Sequence, residues 1–554
     1  MNNNIARFFL VTVAAVLVCS CIKDLDQKPL SDKYSTADAA YSTLEDYTSG
    51  LAYIAAYYSF VSMNDAGASD LKFDDAGQSE LLRQWINLNE LTADSFKCTW
   101  GDDYLSDLQY GRWGASNNNA LDAVYTRCVK GITLVNAFLS QTTDELIAAR
   151  GQQNIASDIA QYRAEARFHR AMFYWILMDC FGNPPFPTID DLQNGTLPKQ
   201  IKRADLYAWL ESELKELTAE SSALAAYGEV AYPRPTKGSA MALLAEMYLN
   251  AQVYTGTAQW QAAKDAAESV TKMGYTLAPV YENLFMQDNT TNGAAEQEFI
   301  FAIDYDKDHA QSWGGTTTMA SAQMSEGANA LVGKLLGLNG TVMPENWNGY
   351  HVAPDYVNRF ELKNVHWDGS DFGYDRESSD KRAFFVNEGE EDFDQSSVSS
   401  GWRCWKFSGR YTDGHVNGSD VSNYKLSSMD FPIFRLAEMY LIYAEADARL
   451  NGGEVKDTQA IKWIKDLRDR AGVEMPDDIT LDFLLDERAR ELMMEGHRRT
   501  DLIRYGYFTS MSFPWAYKAG VKSGKASLSS YRTIFPIIMS EINSNSNLEQ
   551  NYGY

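Results

Sequence analysis

The pentapeptide Ala245-Glu246-Met247-Tyr248-Leu249 occurs a second time, unchanged, as Ala437-Glu438-Met439-Tyr440-Leu441. Apolar residues at three- and four-residue spacing place each copy inside a predicted helix. A short glycine-containing break and a second predicted helix follow each copy, as in helix-turn-helix repeats of about 34 to 40 residues. Residues 171–175 form a looser third copy. Such helix pairs stack to bury their apolar faces, so the repeat predicts a curved solenoid; the alternative is a chance match between two amphipathic helices.

The same helical periodicity extends along most of the chain. It predicts helices at 121–140, 159–179, 204–218, 238–251 and 259–273, and again at 434–450, 458–471 and 481–505. Residues 279–430 differ: they are rich in Gly, Asn, Asp, Ser and aromatic residues, with one strand candidate at 298–303. We therefore predict a mostly α-helical scaffold, built from regions 37–278 and 431–554, with a loop-rich lobe at 279–430 between them.

The segment 486–504 carries a dense alternation of acidic and basic residues. Opposite charges three and four residues apart on a helix favour ion pairs, and we expect these to fix the helix in place. A binding patch for an anionic ligand is the alternative.

The N-terminus is typical of a bacterial lipoprotein. An apolar run from Phe8 to Val18 follows Arg7 and is about eleven residues long, which fits a signal peptide and is too short to span a membrane. The run ends in Val18-Cys19-Ser20-Cys21, which resembles a lipobox. We predict a signal peptide at 1–20, lipidation of Cys21, and a tether at 21–36 that holds the protein at a membrane through acyl chains alone. A plain secretory signal is the alternative.

Composition and motifs exclude several functions. With 49 basic and 75 acidic residues the net charge is −26, which disfavours nucleic acid as a partner. The six histidines are scattered without a metal-binding spacing, and the chain has neither a nucleophile elbow nor a phosphate-binding loop. The sequence thus predicts no catalytic residue and no cofactor, and it assigns no metal ligand. Acidic pairs such as Asp74-Asp75 and Asp102-Asp103 could serve a glycosidase, but their separation in space is not set by sequence.

Three tryptophans stand in polar, glycine-rich surroundings. Trp100 precedes Gly101-Asp102-Asp103, Trp313 precedes two glycines, and Trp347 lies between two asparagines. No amphipathic helix hides these indoles. Exposed indoles stack on the C–H faces of sugar rings while nearby polar side chains bind the hydroxyls, so the three indicate a carbohydrate-binding surface.

Beyond these patterns, the chain resembles the SusD (RagB/SusD) family of Bacteroidetes outer-membrane nutrient-binding lipoproteins over essentially all of its mature length. The resemblance is carried by residues 21–26, 163–168, 179–182, 248–256, 431–438, 443–446, 487–502, 540–543 and 547–554. The family's usual Pro-Ile-Pro is Pro536-Ile537-Ile538 here. The resemblance implies tetratricopeptide-like helix pairs with a glycan-binding lobe of loops. It also implies a non-enzymatic lid, displayed at the cell surface by a lipid anchor in the outer membrane, that delivers glycan to a SusC-like TonB-dependent barrel transporter.

The starch-binding member of the family supplies the expected site residues. Its arginine falls on Arg83, its first tryptophan on Trp100, its asparagine on Asp103, its tyrosine on Trp313 and its last tryptophan on Trp347. Three aromatics kept in kind favour starch or a related α-glucan, while the changes at 103 and 313 leave the linkage open. A secreted all-α glycoside hydrolase is the alternative function, since it would share the acidic, aromatic composition.

Overall fold

The computed structural model describes residues 37–62, 66–338, 342–368, 371–389, 400–416, 423–510 and 528–554. The predicted signal peptide, the tether and Cys21 lie outside the described residues. Within the described part of the chain, no helix is both long enough and apolar enough to cross a membrane.

Helices make up most of the regular structure. The first twelve are α1 Ala37–Ala40, α2 Leu44–Ala56, α3 Leu81–Glu90, α4 Asp103–Gln109, α5 Asn119–Gln141, α6 Asp144–Ala149, α7 Ala156–Phe181, α8 Ile189–Asn194, α9 Arg203–Thr218, α10 Lys237–Leu249, α11 Ala251–Thr255 and α12 Trp260–Thr271. The others are α13 Ala294–Glu298, α14 Gly315–Ala322, α15 Glu326–Leu335, α16 Pro354–Val357, α17 Leu436–Leu450, α18 Thr458–Ala471, α19 Leu481–Glu491, α20 Arg498–Arg504 and α21 Met539–Ser544. The predicted mostly α-helical fold is confirmed.

Local signals in the sequence set the ends of the long helices. The Asn118 side chain accepts a hydrogen bond from the Leu121 amide at 3.2 Å, which satisfies one of the free donors at the start of α5. Helix α7 ends at Gly182, whose φ of 72° is readily adopted only by glycine, and Pro184 follows close behind. The helix predicted at 159–179 therefore ends within two residues of the observed end.

The helices pack mostly against others that are close in the chain. Helix α10 packs on α12, α17 packs on α18, and α12 in turn packs on α17, so that the two pairs carrying the repeated pentapeptide stack on each other. Helices α7, α9 and α10 continue the stack in the N-terminal direction. This is the arrangement predicted from the repeat, because each pair covers an apolar face that its neighbour exposes.

The loop-rich lobe is tied to the helical scaffold by short antiparallel strands. These are β1 Phe96–Cys98, β2 Phe299–Ile303, β3 Tyr350–Val352, β4 His366–Trp367, β5 Phe372–Gly373, β6 Phe385–Asn387, β7 Trp402–Cys404 and β8 Phe431–Arg435. One sheet has the order β1-β3-β7-β6, so a strand from the N-terminal region forms an edge of the lobe's sheet. Strand β2 pairs with β8 and joins the two ends of the lobe, which confirms the strand predicted at 298–303.

The lobe also contains helices that the sequence pattern does not predict. Helix α14 starts with Gly315-Thr316-Thr317-Thr318, residues of low helix propensity, and every residue in it is buried. Tertiary packing therefore stabilises this helix, and a propensity argument cannot find it.

The prediction of one helix at 481–505 is wrong. Helix α19 ends at Glu491 and α20 begins at Arg498, and between them Met494 and Gly496 have φ values of 59° and 83°. Left-handed residues interrupt the helical hydrogen bonds. Gly496 is required there because a Cβ atom would overlap the Trp85 ring.

The charges of this segment are buried ion pairs. Arg488 bonds Asp501 at 2.8 Å and Arg504 bonds Glu445 at 2.7 Å. Arg498 bonds Asp94, far away in sequence, at 2.7 Å. Ion pairs three residues apart occur as predicted, between Glu487 and Arg490 and between Asp501 and Arg504. The three bonds above are between residues 13, 59 and 404 positions apart, and their guanidinium groups lie in the core instead of forming an exposed anion-binding patch.

Candidate functional site

Four of the five predicted glycan-binding residues line a single surface cavity. Arg83, Trp100, Trp313 and Trp347 surround a space of about 360 Å³ that also contacts Asp75, Gln78 and Asp102. The four come from four separate parts of the chain: the start of α3, the end of β1 and two lobe loops. The three indoles are half-buried, so each keeps part of its face open to the cavity.

Arg83 forms the floor of the cavity. It is the third residue of α3 and only 5% exposed, and its Nη1 donates to Asp75 Oδ2 at 3.3 Å. Its guanidinium carbon lies 5.8 Å from the centroid of the Trp100 ring, within the range of a cation–π interaction. Its buried Nε has no hydrogen-bond partner among the described residues. A rigid, charged donor group is thus available beside an aromatic face.

Trp100 and Trp347 are fixed against each other by backbone contacts. The Trp100 Nε1 donates to the main-chain oxygen of Trp347 at 3.0 Å, and the Thr99 amide donates to the Gly349 oxygen at 2.9 Å. A Cβ atom at Gly349 would overlap the indole of Trp100. The glycine in Asn346-Trp347-Asn348-Gly349 therefore has a packing role, in that it lets the Trp100 ring lie flat on the chain.

Trp313 completes an aromatic arc. Its ring centroid lies 6.0 Å from that of Trp347 with the planes inclined at 44°. Its carbonyl oxygen accepts from the Thr318 hydroxyl at 2.9 Å, which ties the indole-bearing loop to the first turn of α14. Two inclined indoles side by side offer a curved apolar surface, and such a surface suits a bent chain of sugar rings better than a flat one.

Asp103 does not line the cavity. It is the first residue of α4 and is exposed, whereas Asp102, which caps α4 in an extended conformation, faces the cavity. Successive residues around a helix start point in different directions, so a shift of one residue moves the carboxylate out of the site. Asp102 therefore stands where Asp103 was expected.

Sequence reasoning missed Asp75, Gln78 and Asp102 as lining residues. Two of them belong to acidic pairs, Asp74-Asp75 and Asp102-Asp103, which the sequence displays among many others. Gly77 lies beside these residues, and a Cβ atom there would be 2.7 Å from both Arg83 Nη1 and the Trp313 carbonyl oxygen. The sequence alone does not show that glycine is required at this position.

A second polar cluster lies in the helical core. Ligand atoms of Glu246, Glu438 and His497 lie within 4.8 Å of one another, all three residues being buried. Burial, together with the charge of Glu246, holds the pKa of Glu438 well above its usual range, while Arg488 acts in the opposite direction. Since that guanidinium already supplies a positive charge beside both carboxyl groups, the cluster is poorly suited to a metal cation.

Known proteins share both the sequence and the fold. Residues 297–554 match the profile of the SusD family, and residues 25–249 match a family described as starch-binding and associating with the outer membrane. The starch-binding protein SusD of Bacteroides thetaiotaomicron is 30% identical over 99% of this chain and 99% of that protein. A SusD-like protein of Bacteroides ovatus is 23% identical, covering 76% of this chain and 73% of that protein.

Solved structures agree with the observed architecture. The surface glycan-binding protein A of Bacteroides thetaiotaomicron, solved with laminarihexaose, superposes with a TM-score of 0.66 at 19% identity, covering 92% of this chain and 99% of that chain. A laminarin-binding SusD-like protein gives a TM-score of 0.65 at 20% identity, covering 93% of this chain and 100% of that one. With the fold shared and nearly the whole length aligned to a 30% identical relative, the chain belongs to the SusD family.

Proposed function

We propose that the protein captures a glucan in the cavity formed by Arg83, Trp100, Trp313 and Trp347. The observation that carries the proposal is the convergence of three half-exposed indoles and one buried arginine on one open space. The indoles stack on sugar rings, while Arg83, Gln78 and Asp102 bind the hydroxyl groups.

Starch or a related α-glucan is the proposed ligand. A relative that aligns over 99% of both chains is named a starch-binding protein. The family resemblance drawn from the sequence also places aromatic residues at three of the expected site positions. The two indoles, inclined at 44°, form a curved surface that suits a bent glucan chain. A panel that includes amylopectin and laminarin distinguishes this proposal from recognition of a β-glucan.

We propose that the protein binds glycan without cleaving it and passes it to a barrel transporter in the outer membrane. The lipid anchor inferred at Cys21 would keep the protein and its barrel in one membrane, where a high effective concentration keeps a modest interface occupied. Purification in mild detergent through a tag on this protein should bring a barrel-sized partner with it. A protein that elutes alone in several detergents would contradict the delivery step.

The binding step is tested by affinity gel electrophoresis with the triple variant Trp100→Ala, Trp313→Ala, Trp347→Ala. Each indole should contribute about 1 to 3 kcal/mol, by analogy with bases stacked on aromatic residues, so the triple variant should lose detectable retention. Trp367→Ala is the matched control, because Trp367 is 40% exposed but lies on the β4–β5 hairpin outside the cavity. Retention unchanged in the triple variant would refute the site, and release of reducing ends from the bound glucan would support the glycosidase alternative.

A further inference from the structure

A buried carboxyl group lies directly behind the aromatic arc. Glu80, the residue before α3, is fully buried, and its Oε1 accepts a hydrogen bond from the Tyr305 hydroxyl at 2.6 Å. Its Oε2 accepts a hydrogen bond from the hydroxyl of Ser312, which immediately precedes Trp313. One side chain of the helical scaffold thus holds two points of the lobe loop that carries a stacking indole.

The loop backbone approaches Glu80 so closely that only glycine fits. A Cβ atom at Gly314 would overlap the Glu80 carboxyl group, and one at Gly315 would overlap both the Tyr305 hydroxyl and Glu80. Gly314 has a φ of −91°, which any residue can adopt, so its requirement for glycine comes from Glu80 alone. The Trp313-Gly314-Gly315 sequence is therefore shaped around the carboxyl group.

The same short segment also carries the polar half of the site. Arg83 follows Glu80 by three residues, and the Trp313 carbonyl oxygen and Arg83 Nη1 each lie 2.7 Å from where a Cβ atom at Gly77 would be. The position of the Trp313 loop relative to Arg83 is thus set by close contacts at Gly77 and at Glu80, both just before α3.

We propose that Glu80 is a positioning residue for glucan binding: it fixes the Trp313 indole at the distance from Arg83 at which one sugar ring contacts both. This inference rests on the glucan-binding function proposed above. Glu80 itself does not line the cavity.

The ionisation state of Glu80 gives the proposal its own readout. Burial raises the pKa of Glu80 to about 7, against the opposing effects of the Ser312 and Tyr305 hydrogen bonds and of the nearby Arg83 and Arg127 charges. An ionised carboxylate can only accept hydrogen bonds, as it does from both hydroxyls, whereas the protonated form carries an O–H that can donate to one of them and reverse that bond. The hold on the Trp313 loop therefore changes over the pH range in which the protein is readily studied.

The test compares Glu80→Ala and Glu80→Gln with Glu90→Gln. Glu90 is the matched control: it lies at the other end of α3, is buried, bonds the Ser95 hydroxyl, and has a pKa raised to about 7 chiefly by burial. Glucan affinity is measured by calorimetry well below the unfolding temperature. The fluorescence of Trp313 without ligand is measured separately, as the difference between spectra recorded with Trp313 present and with Trp313→Phe.

Glu80→Ala should weaken glucan binding about tenfold or more, the size of a misplaced stacking contact. Glu80→Gln, which can still accept one bond and donate the other, should keep most of the affinity but lose the fluorescence change around pH 7. Glu90→Gln should leave both unchanged. Wild-type affinity in folded Glu80→Ala would overturn the proposal.

Ser312→Ala covers the case in which Glu80→Ala does not fold. It removes one donor to Glu80 and leaves the carboxyl group in place, so it should weaken binding and shift the fluorescence titration; wild-type behaviour in both would overturn the proposal. If the wild-type protein binds no glucan of the panel, the proposed function fails, while the fluorescence titration still decides whether Glu80 holds the Trp313 loop.

Discussion

The indole nitrogen of Trp100 donates a hydrogen bond to the main-chain oxygen of Trp347 at 3.0 Å, across 247 residues of sequence. This bond joins the end of β1, in the helical region, to a loop of the lobe. Because the donor is the indole proposed to stack on sugar, the orientation of its ring depends on how the lobe docks. The aromatic arc is thus a product of two parts of the chain, and its integrity can be tested at the contact.

Gly349→Ala should disrupt this contact. The added Cβ atom would overlap the Trp100 indole, which must then rotate away from Trp347. We expect glucan affinity to fall about tenfold or more, as for loss of one stacking contact, with a normal circular dichroism spectrum. Gly114→Ala is the control, since nothing lies within 4 Å of its Cβ position. Equal affinity in the two variants would show that the ring orientation of Trp100 is unimportant.

Arg83→Lys should weaken glucan binding although it keeps the charge. A lysine lacks the planar fork that both pairs with Asp75 and lies near the Trp100 ring. Losing one hydrogen bond from a charged donor corresponds to about a 10- to 150-fold loss of affinity. Calorimetric titration with a maltooligosaccharide measures it. Arg112→Lys, at an exposed ion pair with Asp107, is the control and should bind like the wild type. A similar loss of affinity in both variants would contradict the prediction for Arg83.

Glu445→Gln should lower the free energy of unfolding at neutral pH. Glu445 is fully buried and receives two hydrogen bonds from Arg504, each 2.7 Å long. Removing one member of a buried ion pair costs about 3 to 5 kcal/mol when the other charge is left uncompensated. Arg504 keeps its bond to Asp501 at 2.7 Å, so we expect a loss near the lower end of that range. Denaturant unfolding at neutral pH measures the loss. Glu216→Gln, whose side chain is 65% exposed, should change stability by less than about 1 kcal/mol.

The free energy of unfolding of Glu445→Gln should also fall less steeply in acid than that of the wild type. Burial raises the pKa of Glu445, but Arg504 and Arg449 outweigh it and lower the pKa to about 2. Because the folded pKa lies below the unfolded value of about 4.3, this group's contribution is complete above that value and is lost as the pH falls toward 2. The stability gap between wild type and Glu445→Gln should therefore narrow in acid. A gap that stays constant down to the acid transition would contradict this assignment.

Cys21→Ala should abolish membrane attachment if the lipobox is used. The variant should accumulate as an unacylated precursor or a soluble product, because a signal peptide alone leaves no acyl chains on the mature protein. Metabolic labelling with palmitate and membrane fractionation measure the two effects. A variant that still incorporates palmitate and fractionates with the outer membrane would show that another residue is lipidated.

The sequence by itself determined the scaffold and identified four of the residues that line the candidate cavity. Local periodicity locates helices such as Thr458–Ala471, because the apolar face of an amphipathic helix consists of residues three and four positions apart in one short segment. The repeated pentapeptide indicates stacked pairs, and Trp100, Trp313 and Trp347 stand out because glycine and short polar neighbours cannot bury an indole locally.

Only the tertiary structure decided what depends on distant contacts. The break between α19 and α20 follows from the close approach of Trp85 to Gly496, and the buried helix α14 follows from packing that its own residues do not favour. Whether Asp102 or Asp103 faces the cavity depends on the direction of each side chain at the start of α4. The position of Glu80 behind Trp313 likewise depends on the direction of the Glu80 side chain. Such directions are fixed when segments more than 200 residues apart meet, and no local pattern records them.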